Sequence, residues 1–404
     1  MKTRFGTLRE LIESLGVPQE EIERAEADGT LGLLAMEHMA LGDQTPRYTQ
    51  GEVEERSGLG PEAARFWRAL GFTDPPPDER VFGDLDIEML QLVDQFLQLK
   101  LVDTDVALQM ARVIGSSMSR IASAQIDAIE TEIDEPAFED GTDPAVLRAR
   151  FLLPSMPRIF EYTWRRHMQV AARRRLVREA GASTGETIVT VGFADLVGFT
   201  ALSQQVDGHE LAAVVDRFEA TAYDIVGSLG GRVVKMIGDE VMFAVDGAGA
   251  GIEIALSLAE AYHDDESLSD VRVGLACGPA LEREGDLFGP TVNLASRIVS
   301  IAYAGSVVVS ADVREPLKDL PGLRWKSLRT RYLKDIGRVQ LWAVRRVGDD
   351  FEREGPFERA RRRRSAIRDK VAEMIDRRAA GSEDSTDQPS EESANKGGNR
   401  DRAE

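Results

Sequence analysis

At Gly181-Ala-Ser-Thr-Gly185 the chain changes its pattern, and that change constrains the fold more than any other feature. Before it, apolar residues recur at helical spacing. Leu8, Leu11, Ile12 and Leu15 share one helix face, and so do Leu31, Leu34, Ala35 and His38. Ile121, Ala124, Ile126, Ile129 and Ile133 form a further apolar stripe, and another helix is expected from Pro144 through Leu152. After the break, short runs rich in β-branched residues alternate with helical segments, the pattern of a sheet covered by helices. Thr187–Asp195 reads as a buried strand, Gly208–Leu229 as a helix, and Arg232–Val245 as two strands around a Gly-Asp turn. Ala248–Tyr262 and Gly289–Ala302 read as helices, and Val271–Gly278, Ser306–Ser310 and Val339–Val344 as strands. The expected organisation of the 404 residues is a helical domain over 1–180, a linker at 181–186, an α+β domain over 187–348 and a charged tail over 349–404. In that tail, 358–380 can form one charged helix, and the polar sequence from Gly381 is expected to be disordered.

Composition narrows the partners. Acids outnumber bases 70 to 50, a formal net charge of −20, which disfavours non-specific binding to nucleic acid. Cys277 is the single cysteine, so neither an intrachain disulfide nor a cysteine-rich zinc site is available. At a strand end it reads as a small buried residue. No apolar run approaches the ~18–20 residues of a membrane span, and the amphipathic N-terminus is unlike a signal core. A cytoplasmic protein without a membrane span is expected.

Residues 48–115 have a texture of their own. A short helix from Gly51 to Ser57 leads through a glycine turn to a second beginning near Pro61, the spacing of a helix-turn-helix. Asp84 or Asp86 then caps a long helix carrying Leu90, Val93, Phe96 and Leu97. The Tyr48-Thr-Gln-Gly-Glu52 opening and the Arg65–Phe72 stretch resemble the DNA-binding head of MerR-type regulators. Between Arg47 and Arg112, however, thirteen acids stand against seven bases, whereas a DNA reader is basic on at least one face. The segment is therefore read as a protein–protein module, with a transcription regulator or nucleotide sensor as the alternative function. The helix from Ile159 to Ala180 carries Arg165, Arg166, His167, Arg173, Arg174 and Arg175, either a transmission element or a solvated face.

Four stretches after the break carry chemistry. In Phe193-Ala-Asp195-Leu-Val197-Gly198-Phe199-Thr200 an aspartate ends a buried strand before a turn and a helix. Its carboxylate can meet a cation while the amides of Val197, Gly198, Phe199 and Thr200 face a phosphate, or it can simply cap the helix. In Val234–Glu240, Asp239 sits at a hairpin tip and Lys235 on the strand before it. Two aspartates on adjacent strands can share a pair of divalent ions, and the lysine can bond a base, although Gly-Asp is also an ordinary turn. Asn293 and Arg297 stand one helical turn apart on one face, suited to a ribose and a phosphate or to a polar outer stripe. Lys334, in the stretch Tyr332–Arg338, can touch terminal phosphates or serve a soluble turn.

Together these stretches resemble the class III nucleotidyl cyclases, over Glu186 to Arg346. The resemblance implies a ferredoxin-like βαββαβ core and a head-to-tail homodimer with active sites at the interface. It implies an adenylate cyclase that converts ATP to 3′,5′-cyclic AMP and pyrophosphate with two Mg2+ or Mn2+ ions per site. Asp195 and Asp239 correspond to the metal ligands and Lys235 and Asp286 to the adenine-recognising pair, which disfavours the guanylate cyclase alternative. Asn293 corresponds to the ribose-orienting residue, Arg297 to the transition-state arginine and Lys334 to a phosphate-binding lysine. The Leu33–Asp43, Tyr48–Gly58 and Trp164–Val170 stretches resemble the helical regulatory domain of actinobacterial two-domain cyclases, a subgroup with pH-responsive, autoinhibited members. His38 and His167 lie in those stretches and titrate near neutrality, so they are candidate regulatory residues besides being ordinary structural or exposed histidines.

Overall fold

The computed structural model describes residues 7–41, 46–130, 146, 148–181, 187–265 and 267–348. Of the linker expected at 181–186, residues 182–186 lie outside the described residues, as do the tail from 349 and residues 144, 145 and 147 of the helix expected from Pro144 through Leu152. The chain divides into two compact units, Met1–Leu176 and Val177–Glu404.

Among its described residues the first unit is built of helices, with one isolated antiparallel bridge between Tyr48 and Phe82. Helices α1 (Leu8–Ser14), α2 (Gln19–Ala27) and α3 (Leu31–Leu41) bury Ile12, Val17, Ile22 and Ala35 together. Helix α4 (Gln50–Ser57) starts in a reciprocal cap, in which the Thr49 hydroxyl accepts from the Glu52 N–H and the Glu52 carboxylate accepts from the Thr49 N–H. It stops at Gly58, whose φ of 82° few side chains tolerate. Helices α5 (Glu62–Ala69), α6 (Asp84–Gln98) and α7 (Thr104–Glu130) close around Val53, Phe66, Phe82, Leu90 and Leu108. The cap of α6 is Gly83 rather than either expected aspartate, and Asp86 reaches back to accept the Gly83 N–H at 2.7 Å. A π-helical turn, Arg148–Leu152, precedes α8 (Leu153–Gly181), and the division between the units falls within α8.

The second unit alternates as its sequence does. Strand β1 (Thr187–Leu196) is followed by a single turn, α9 (Phe199–Leu202), and by α10 (Gly208–Ser228). Then come the hairpin β2 (Arg232–Ile237) and β3 (Glu240–Val245), α11 (Ala248–Asp264) and β4 (Val271–Arg283). The sheet order β2-β3-β1-β4, with β1 antiparallel to both neighbours, is that of a βαββαβ core. Beyond it come β5 (Asp286–Phe288), α12 (Pro290–Ile301), β6 (Val307–Val309), α13 (Ala311–Arg314) and β7 (Leu323–Ser327). The described residues end with β8 (Arg331–Leu333), β9 (Gly337–Val339) and β10 (Trp342–Arg346). The stretch Val339–Val344, expected as one strand, is divided. Val339 ends a small β8–β9 hairpin, while β10 pairs with β6 and β7 in the main sheet.

The period of two along β1 explains why both faces of the sheet are covered. Val189, Val191 and Phe193 pack against α12, whereas Ala194 and Leu196 join the core under α10 and α11. At Gly274 the α12 backbone comes so near β4 that a Cβ there would lie 2.4 Å from the Val299 nitrogen. Cys277 lies within β4 and is only half-buried, because the strand runs on to Arg283 instead of stopping at Gly278. Among the described residues no helix is long and apolar enough to cross a membrane.

Candidate active site

Asp195 is the penultimate residue of β1 and faces α12, the side of its alternation that holds Phe193. The pairing register sets Glu240 of β3 on one side of it and Arg272 of β4 on the other. Directly opposed residues of antiparallel strands point to the same face, so Glu240, Asp195 and Arg272 form a row across three strands. The Arg272 guanidinium grips Asp195 with both arms, Nε donating to Oδ1 and Nη2 to Oδ2 at 3.1 Å each. Asp239 occupies the β2–β3 turn, where Gly238 takes a φ of +62°. The Asp239 carbonyl accepts the Leu196 N–H at 3.0 Å, which fixes this turn beside the end of β1.

Acidic crowding is visible in the protonation of these groups. Burial, and then the charge of Asp195, push the Asp239 carboxyl above its ordinary range. The same two causes carry Glu240 up to about 7. An oxygen-only donor set of two aspartates fits a hard cation that takes its remaining ligands from substrate phosphate and water. The fit is also marked by a stand-in, since the cationic head of Arg272 already rests on both Asp195 oxygens. Among the described residues no cluster of three or more metal-ligating side chains would hold an ion unaided.

Beyond Asp195 the chain does not form the full phosphate cradle expected of it. The Val197 N–H donates to the Asp270 carbonyl at 3.0 Å and is withdrawn from any phosphate. Gly198, in the left-handed region with φ 84°, turns the chain into α9 through Phe199 and Thr200.

Lys235 and Asp286 are joined directly, with Nζ 2.6 Å from Oδ2. The connection depends on β5, which the sequence pattern does not reveal. Glu284 and Gly285, both at positive φ, make a tight two-residue turn that doubles β5 back along β4. Arg232 pins this arm to β2, donating to the Gly285 carbonyl and to the Glu282 carboxylate at 2.9 Å each. Asn293 and Arg297 are exposed on α12, on the side away from the buried Thr291, Ala295, Ile298 and Val299. One Arg297 nitrogen stands 3.8 Å from a carboxylate oxygen of Asp335, in the β8–β9 turn that also exposes Lys334. In the first unit, the His38 Nε2 lies 3.9 Å from a Glu21 oxygen, and His167 is exposed on α8.

The structure thus brings together Asp195 with Asp239, Lys235 with Asp286, and Arg297 with the turn holding Lys334. It does not join Asn293 and Arg297 to the two aspartates by any described contact. Sequence reading missed Arg272 and Glu240. The signal for Arg272 was a single cation inside the otherwise apolar strand Val271–Ala276.

Comparison with known proteins agrees with this architecture. The family model described as the adenylate and guanylate cyclase catalytic domain matches residues 183–344. The model described as the adenylate cyclase regulatory domain matches residues 2–145. An adenylate cyclase of Streptomyces coelicolor is 38% identical over 288 residues, covering 70% of this chain and 75% of the relative. A pH-sensitive adenylate cyclase of Mycobacterium tuberculosis is 34% identical over 330 residues, covering 78% and 82%. The crystal structure of a rhodopsin-guanylyl cyclase catalytic core with converted specificity, in complex with ATPalphaS, is 26% identical with a TM-score of 0.38 and covers 40% of this chain and 97% of that one. With a catalytic-domain match over the second unit, a regulatory-domain match over the helical one and an adenylate cyclase relative 38% identical over most of both chains, the chain belongs to the adenylate cyclases with an N-terminal regulatory domain.

Proposed function

We propose that the chain cyclises ATP at a homodimer interface, each site using Asp195 and Asp239 from one protomer and Lys235, Asp286, Asn293 and Arg297 from the other. The observation that carries this reading is the outward stance of Asn293 and Arg297 on α12, while Asp195 faces the sheet side of that helix. No described contact joins Asn293 or Arg297 to the two aspartates, and a second copy is proposed to supply the complementary set.

The roles follow from the chemistry of each group. Lys235 donates to a ring nitrogen of adenine and Asp286 accepts from its exocyclic amine. Guanine offers a carbonyl in that place, and the carboxylate repels it. Asn293 orients the ribose, and Arg297 donates to the α-phosphate as charge accumulates there. Lys334 binds terminal phosphates. Asp195 and Asp239 hold the divalent cations, Mg2+ or Mn2+, which when bound lower the pKa of the ribose 3′-hydroxyl and neutralise the triphosphate. With no general base in these motifs, this chain contributes positioning and fixed charge.

The helical unit is proposed to regulate this activity in response to pH through His167 and His38. The support is the regulatory-domain match and the pH-sensitive relative.

Mixing two inactive variants tests the dimer. Asp195→Asn removes a metal ligand and Arg297→Ala removes the opposite half of the site. A random mixture of equal amounts is about half heterodimer, with one intact site of two, so about a quarter of wild-type activity should return. No recovery, with dimers present in solution, would overturn the shared site.

A further inference from the structure

Arg272 has no part in the proposed reaction, yet it makes a two-armed contact with a proposed metal ligand. Its guanidinium covers both oxygens of Asp195 in a fork, at 3.1 Å and 3.1 Å. The Asp195 side chain is 17% exposed and that of Arg272 33%, so water screens the pair less than it would on the surface. Two further carboxylate residues stand beside them: Glu240 is opposite Asp195 in the β1–β3 register, and the Asp239 carbonyl accepts the Leu196 N–H at 3.0 Å.

A divalent ion on Asp195 needs lone pairs that the guanidinium now occupies, and it brings a second positive charge next to the first. Both effects oppose metal entry. Both vanish if the guanidinium leaves. We propose that Arg272 is the resident counter-ion of the metal site and competes with divalent cations for Asp195. The free chain then binds metal weakly, and the ion enters together with the nucleotide, whose phosphates supply the ligands that the protein lacks. This rests on the reading of Asp195 as a metal ligand.

The test is a titration of the full chain with Mn2+ in the absence of nucleotide, following free Mn2+ by electron paramagnetic resonance. Arg272→Gln keeps a polar side chain and removes the charge. Its Mn2+ dissociation constant should fall at least about tenfold below wild type. Arg272→Lys keeps the charge but cannot make the two-armed contact, and should tighten binding several-fold. Adding Asp195→Asn to Arg272→Gln should cancel the gain. If neither Arg272 variant binds Mn2+ more tightly than wild type, with matching circular dichroism, the competition does not exist. A parallel titration with a non-cyclisable ATP analogue separates the two premises. There, an Asp195→Asn variant that keeps wild-type Mn2+ affinity would refute the metal assignment itself. A loss confined to that arm, with unchanged Arg272 variants, would refute only the competition.

Discussion

Lys235 and Asp286 lie 51 residues apart in the chain and 2.6 Å apart in the structure, because β5 folds back along β4. A half-buried lysine and carboxylate that satisfy each other form one recognition unit rather than two contacts. Lys235→Ala or Asp286→Ala should each lower kcat/KM for ATP by about 10–100-fold, since each leaves the other partner unpaired. The double variant should cost less than the product of the two, and the ATP-to-GTP ratio of kcat/KM should collapse in all three. Steady-state cyclisation rates with both nucleotides measure this. Independent, multiplying effects would argue against a single unit.

Arg346 on β10 clamps α11 to the sheet, donating to Glu253 at 2.7 and 3.0 Å and to Glu260 at 2.7 Å. The Arg346 hydrogen bond holds the Glu253 carboxyl below its ordinary range. A lowered carboxyl stabilises the fold above its unfolded pKa, and that contribution is lost as pH falls through the folded one. The residues are partly exposed, so Arg346→Met should cost only about 1 kcal/mol at neutral pH. The gap to wild type should narrow below about pH 4, where the Glu253 carboxyl of the unfolded chain protonates first and the folded one only at lower pH. Urea unfolding at the two pH values checks it.

Gly274 is the point at which α12 touches β4. A methyl group there would meet the Val299 nitrogen at 2.4 Å and the Ala295 carbonyl oxygen at 2.9 Å, both backbone atoms. Gly274→Ala must therefore lift α12, at a cost of about 1–3 kcal/mol. Because Asn293 and Arg297 ride on that helix, kcat should fall further than the loss of folded protein explains. Gly249→Ala is the control, since in α11 the added methyl finds only Leu317 at 3.8 Å. That substitution should be neutral or slightly stabilising. Thermal melts and kcat of both variants decide the matter.

His167 lies exposed on α8, with Arg165 paired to Glu161 one turn earlier. The full chain should be more active at mildly acidic than at mildly alkaline pH, and His167→Gln should flatten that difference while leaving the melting temperature within about a degree, as expected for an exposed position. His38→Gln tests the contact to Glu21 in the same way. A pH–activity profile unchanged in both would remove the histidines from regulation.

Local sequence determined the elements. The alternation Val189, Val191, Phe193 commits β1 to a covered sheet, the Thr49/Glu52 pair starts α4, and the Gly-Asp tip closes the β2–β3 hairpin. Hydrophobic period and cap chemistry act over a few residues, so the pattern shows them without any fold. The polar motifs were legible for the same reason. Asp195, Lys235, Asp239, Asn293 and Arg297 each sit on a strand, a turn or a helix face fixed by neighbouring residues.

Tertiary structure decided which of these groups meet. Only the cross-strand register sets Arg272 against Asp195, and only the folded-back β5 brings Asp286 to Lys235. Only the folded sheet shows how near α12 comes to β4 at Gly274, and so where the face carrying Asn293 and Arg297 is held. Those relationships span tens of residues and depend on how strands pair and how closely a helix can approach. Their cause is packing, which no short stretch of sequence contains.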